Sequence, residues 1–260
     1  MVIDTSNWRV LIPARAGSKG IPNKNILEVG GLPLVAYSIL VARQIFPTHR
    51  IWVSTDSHEY ANVAVKFGGS VPFIRPTELA QDSTPDIEVF QHAIDHEGTH
   101  EEKSSEFWLH LRPTTPLRAP KVVKTAMKRF LTEPEASGLR SVHKTLEAPQ
   151  KTCLVDAGGY VTSLCGDPDA DALNLPRQLY PPAYAPNGYV DIIRRDNVLG
   201  GYLHGERCLA FETQLVTDID HPSQIKGSFE SQLESLAEQL SCQPDGDEED
   251  DDKTLSTHSH

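Results

Sequence analysis

Two stretches of this sequence hold residues whose types and spacing could do chemistry. The first is residues 15–25, where Arg15, Lys19 and Lys24 are interleaved with Gly17, Ser18, Gly20 and Asn25. Glycines let backbone approach a ligand closely and present bare N–H groups. Arginine and lysine beside such groups make a site for oxyanions, polyphosphate being the usual one. The second stretch is Val216-Thr217-Asp218-Ile219-Asp220. On extended backbone Asp218 and Asp220 project to the same side. Two carboxylates so placed repel unless a proton or cation lies between them. With a triphosphate nearby, Mg²⁺ fits, because it takes one or two carboxylates together with phosphate oxygens. The alternatives are a solvated glycine turn for the first stretch and an Asp-rich turn before a helix for the second.

The first loop is neither of the two common phosphate motifs. A Walker A loop ends in Gly-Lys-Ser/Thr, and Ser18-Lys19-Gly20 has the wrong order; Ala16 and Ser18 break the three-glycine dinucleotide fingerprint.

Elements on either side must position these residues. Val10, Leu11 and Ile12 form an apolar run that predicts a buried strand, closed by Pro13. Residues 33–46 predict a well-buried helix with proline in its first turn. Residues 50–54 predict a strand, and Thr55, Asp56 and Ser57 offer N-caps for a helix to about Phe67, stopped by Gly68-Gly69. Further strands are expected at 71–74, 107–111, 138–143, 188–194 and 208–211. Helices are expected at 86–96, 121–131 and 223–240, the last with Ile225, Phe229, Leu233, Leu236 and Leu240 on one face. Residues 75–85 are too polar and punctuated for regular structure, and 148–186, where prolines and glycines are frequent, fits no helix of normal length. Alternating strand and helix implies βαβ units in a mostly parallel, Rossmann-like sheet. Ligands bind such sheets at the carboxyl ends of the strands, where the 15–25 loop lies.

The pattern Arg15-Ala16-Gly17-Ser18-Lys19 followed by Lys24-Asn25 resembles the N-terminal signature of the acylneuraminate cytidylyltransferases, the CMP-sialic acid synthetase family. The resemblance extends from about Arg9 to Ile225. Asp82-Ser83-Thr84 resembles a segment lying where the base and ribose of CTP are held, and Arg75 stands where the family has a base-contacting arginine. Pro113-Thr114-Thr115-Pro116-Leu117-Arg118 resembles its Pro-Thr-Ser-Pro-Leu-Arg motif; a plain turn with capping hydroxyls would also use Thr114 and Thr115. The residue before that motif is often a glutamine reaching the acceptor sugar, and here it is Arg112. Leu175-Pro176-Arg177-Gln178 with Ala185-Pro186-Asn187-Gly188 resembles the bacterial members, which makes Arg177 and Asn187 sugar-site candidates.

The resemblance implies a nucleotide-diphospho-sugar transferase fold and CMP transfer from CTP to the anomeric hydroxyl of an acidic, sialic-acid-like nine-carbon sugar. Arg15, Lys19 and Lys24 would be catalytic; Gly17, Ser18, Asn25, Arg75, Asp82, Ser83, Arg112 and Thr114 would bind substrate; Asp218 and Asp220 would hold Mg²⁺. The excursion at 148–186 would form a homodimer contact within a 1–240 domain. Rival expectations are an eight-carbon acceptor such as 3-deoxy-octulosonate, another sugar, or an inactive nucleotide-binding module.

The 260 residues suit one α/β domain. A formal net charge of −12 argues against nucleic-acid binding, although about half of it falls in a 241–260 tail expected to be disordered. No apolar run reaches the ~20 residues that span a bilayer. The four separated cysteines and the absence of a signal-peptide pattern suggest reduced thiols in a cytoplasmic protein. His92, His96 and His100 fall four apart, but Gly98 is expected to end the helix before His100, leaving no metal stripe.

Overall fold

The computed structural model describes residues 3–100, 104–165, 170–225 and 227–241. The acidic tail and Cys242 lie outside these residues. β1 (Trp8–Pro13) is buried on both faces: Trp8, Val10 and Ile12 enter one apolar core and Leu11 the other. Such two-sided burial is what a central strand of a helix-covered sheet requires. A small hairpin of β2 (Glu28–Val29) and β3 (Leu32–Pro33) leads into α1 (Leu34–Arg43). There follow β4 (Ile51–Ser54), α2 (His58–Lys66), α3 (Asp86–His100), β5 (Phe107–His110), α4 (Pro120–Leu131) and β6 (Gly138–Lys144). The remaining elements are a second hairpin of β7 (Cys153–Val155) and β8 (Val161–Ser163), then β9 (Tyr184–Arg194), α5 (Arg195–Leu199), β10 (Cys208–Glu212) and α6 (Ser228–Ser241).

The main sheet runs β10-β6-β9-β5-β1-β4. All its pairs are parallel except those of β9, which lies antiparallel between β5 and β6. Residues of α1, α2, α4 and α6 cover one face, and those of α3 and α5 the other. Among the described residues no helix is long and apolar enough to cross a membrane, and Cys153, Cys165 and Cys208 are free.

Three expectations need correction. Residues 71–74 form no strand. Pro72 has no N–H to donate, and only isolated bridges form, Trp52 to Ser70 and Thr55 to Ile74. Helix α3 does not stop at Gly98 but runs to His100, so the His96 and His100 rings stack 4.1 Å apart. A mid-helix glycine costs about 1 kcal/mol. Here the turn is anchored by buried Glu97, which accepts from Arg9 Nε at 2.8 Å and from the Ser105 amide and hydroxyl. The last helix begins at Ser228, after a separate 3₁₀ turn at Pro222–Ile225, and buries Phe229, Leu233, Ala237 and Leu240.

Candidate active site

The cleft lies at the carboxyl ends of β1 and β5. Gly17 has φ +77°, a conformation that L side chains avoid, and turns the loop after β1 back on itself. Gly20 passes so near the 218–220 segment that a Cβ there would sit 2.5 Å from the Asp220 carbonyl oxygen. The loop is tied down by its own amides and side chains. Ala16 N–H donates to Asp56 Oδ1 at 2.8 Å, and buried Asn25 donates from Nδ2 to the Arg15 carbonyl at 2.9 Å.

Each loop cation meets a carboxylate from elsewhere. Arg15 Nη2 donates to Asp82 Oδ1 at 2.5 Å, and Lys19 pairs with the other oxygen of the same carboxylate. The hydrogen bonds from Lys19 and Arg15 hold the Asp82 carboxyl below its usual range. Lys24 Nζ donates to Asp220 Oδ1 at 2.8 Å. Ile219 is fully buried and its N–H donates to the Thr114 carbonyl at 2.7 Å, while Asp218 and Asp220 are both exposed. That is the alternation expected of extended chain.

Of the residues singled out in the sequence, Arg15, Ser18, Lys24, Asn25, Arg75 and Asp82 line the cleft together with Arg112 and Thr114. Gly17 lines an adjoining recess with Asp56. Arg75 is buried, its Nε and Nη2 without hydrogen-bond partners, and burial lowers its pKa. Ser83 is exposed and does not line the cleft. Arg177 lies apart, beside a second recess formed by Lys144, Glu147 and Tyr180, with Nη2 3.4 Å from the Thr145 carbonyl. Asn187 likewise stays away; it ties β9 to the chain after β10, donating to Thr213 Oγ1 at 2.6 Å.

Several polar groups at this end of the sheet escaped the sequence reading. Arg112 donates from Nη1 to Asp191 Oδ2 at 2.7 Å and from Nη2 to Asp86 Oδ2 at 2.9 Å. Burial opposes the charge on Arg112, but Asp191 and Asp86 outweigh it and raise the pKa. Burial likewise opposes the Asp191 carboxylate, and His204 and Arg112 outweigh it, so this group stays ionised far into acid. His110 is the register partner of Asp191 across β5 and β9; burial, with Arg112 nearby, lowers its pKa to about 3. Arg118 is fully buried. It donates to Ser38 Oγ and to the carbonyls of Arg112, Gly188 and Tyr189, bracing the start of the 112–118 turn. Arg112 and Arg118 are visible in the sequence, but Asp86, His110, Asp191 and His204 are not, and no spacing rule finds them, since they come from segments far apart in the chain.

A family model for cytidylyltransferases matches residues 9–166. A CMP-N,N'-diacetyllegionaminic acid synthase from Legionella pneumophila is 40% identical over 120 residues, 45% of this chain and 50% of that protein. An N-acylneuraminate cytidylyltransferase from Escherichia coli is 31% identical over 194 residues, 75% of this chain and 43% of that protein. The chain thus spans about half the length of these curated relatives. Among solved structures, a CMP:2-keto-3-deoxy-manno-octonic acid synthetase complexed with CTP superposes with TM-score 0.60 over 90% of this chain and 99% of that one. At 17% identity that likeness shows the fold, a nucleotidyltransferase sheet of the nucleotide-diphospho-sugar type. With more than half of its residues under the family model and its loop, cleft and acid pair in place, the chain belongs to the cytidylyltransferase family, among relatives that include the acylneuraminate cytidylyltransferases.

Proposed function

We propose that this protein transfers CMP from CTP to the anomeric hydroxyl of a sialic-acid-like nonulosonic acid, releasing pyrophosphate. The observation that carries this reading is the gathering of Arg15, Lys19 and Lys24 at one cleft mouth, each against a carboxylate that a phosphate oxygen could replace. Family membership and the relatives' names supply the nucleotide and the acceptor class.

The protein's work is placement and charge neutralisation. Arg15 and Lys19, released from Asp82, would hold the β- and γ-phosphates. Lys24 would offset charge growing at the transferred phosphorus. Asn25, fixed by its bond to the Arg15 carbonyl, would orient the nucleoside, and buried Arg75 with its unpaired N–H groups would hold the base. Asp218 and Asp220 fit Mg²⁺, since both are exposed on either side of buried Ile219 and no third acid or histidine joins them among the described residues. Bound there, the ion would polarise the α-phosphate and lower the pKa of the attacking hydroxyl.

The excursion between β6 and β9 exposes Leu154, Val155, Tyr160, Val161 and Leu164 on the two sides of its hairpin and beyond, apolar surface that supports a homodimer with Arg177 in a shared sugar site. Free cysteines support a cytoplasmic setting. The deciding experiment is pyrophosphate release from CTP across nine-carbon and eight-carbon acid sugars. Turnover confined to the eight-carbon acids would replace the acceptor, and none with any acid sugar would refute the reading.

A further inference from the structure

The floor of the cleft holds titratable groups beyond the loop cations and the acid pair. Asp86 from the start of α3, His110 from the end of β5, Arg112 just beyond it and Asp191 from the middle of β9 converge there. Asp191 is fully buried between the apolar residues Val190 and Ile192 of its own strand. Its Oδ2 accepts from Arg112 Nη1 and stands 3.6 Å from His204 Nε2, while its Oδ1 has no hydrogen-bond partner. Burying a carboxylate so incompletely satisfied costs stability, and apolar side chains in place of both Asp191 and Arg112 would do as well or better for folding. What Asp191 does supply is direction. Its partner Arg112 is gripped at both terminal nitrogens, by Asp191 from beneath and by Asp86 from the cleft wall. That fixes the guanidinium plane, and the side chain, still 20% exposed, lines the cleft with N–H groups to spare beyond the two that the aspartates take.

We propose that Asp191 is a positioning residue for Arg112, and that the arginine so fixed selects the acceptor by donating to one of its uncharged oxygens, an acyl carbonyl or a hydroxyl. The inference rests on the cytidylyl-transfer reading and adds which chain groups discriminate among acid sugars. The acceptor's carboxylate is the wrong match here. Both ends of Arg112 already face carboxylates, and Asp86 keeps 39% of its side chain exposed to the cleft, where a third carboxylate would be repelled. A neutral oxygen meets no such penalty.

A double-mutant cycle tests this, with acceptor KM, CTP Kd by calorimetry and thermal melts for wild type, Arg112→Gln, Asp191→Asn and the pair together. Asp191→Asn should raise acceptor KM by about tenfold or more in the wild-type background, since a hydrogen bond to a charged donor is misdirected. It should add nothing once Arg112 is glutamine, while CTP Kd stays within about twofold throughout. Arg112→Lys keeps the charge but cannot span two carboxylates, so it should behave like Arg112→Gln; this arm decides if Asp191→Asn fails to fold. Equal losses from Asp191→Asn in both backgrounds, a wild-type-like Arg112→Lys, or a parallel fall in CTP affinity would each overturn the inference. A wild-type protein that binds CTP yet turns over no acid sugar would instead overturn the functional reading, and the inference with it.

Discussion

His110 offers a sharp test of the buried charge cluster. Its ring lies edge-on to Phe90, 5.1 Å between centroids, and neither ring nitrogen has a hydrogen-bond partner. Burial, then the nearby Arg112, lowers its pKa from 6.5 to about 3. The sign follows from linkage. The unfolded chain takes up a proton on this ring below about pH 6.5, and the folded chain does not until about pH 3. Stability from His110 is therefore fully present above pH 6.5 and drains away as pH falls through the window to 3. Between pH 7.5 and 4.5 the loss comes to about 3 kcal/mol, since each pH unit below the unfolded pKa costs one proton's worth of binding. His110→Leu removes the titrating ring without orphaning any partner. Urea unfolding of wild type and variant at pH 7.5, 6.0 and 4.5 isolates the term. The variant should gain about 3 kcal/mol relative to wild type over that range, whatever their difference at pH 7.5. Stability curves that stay parallel would mean that the ring protonates equally in both states and that the cluster is wetter than its geometry indicates.

Other outcomes can be checked alongside. Asp218→Asn and Asp220→Asn should each cut turnover by about a hundredfold, some 2.7 kcal/mol of barrier, and shift the Mg²⁺ midpoint. Their melting temperatures should move by only a few degrees, because Asp220 is largely exposed and asparagine still accepts from the half-buried Lys24 ammonium; wild-type turnover in both would reduce the pair to a turn. Arg118→Met should destabilise by about 3 kcal/mol or more in urea, since it strips donors from three carbonyls and the Ser38 hydroxyl, and Arg118→Lys should not restore them all. Wild type should be a dimer by light scattering, and Leu154→Glu, at an exposed apolar position of the excursion, should shift it to monomer without lowering the monomer's melting temperature; a monomeric wild type would refute the dimer, and an unchanged dimer would place the contact elsewhere.

What could be read from the sequence, and what could not, divides by the range over which the signal acts. The Val10–Ile12 run, the glycines and cations after it, and the alternation around Ile219 are local patterns, and the folded chain keeps each of them. The direction of β9 is not local: a strand buried on both faces has the same composition parallel or antiparallel, so nothing in its residues announces that it runs against β5 and β6. That direction sets Asp191 opposite His110 in register, beside the carboxyl end of β5 from which Arg112 emerges. Gly98 shows the same limit from the other side. Its propensity to end a helix is a local term of about 1 kcal/mol, overridden by Glu97 pairing with Arg9, 88 residues away in sequence. Arg112 stands between these cases. As a departure from glutamine it is visible in the sequence. Its surroundings are not, because the two carboxylates that grip it come from 26 residues upstream and 79 residues downstream. Replacing a neutral amide by a cation at that point would leave an unmatched charge on the cleft floor unless both aspartates arrived with it, so the three residues make physical sense only as a unit.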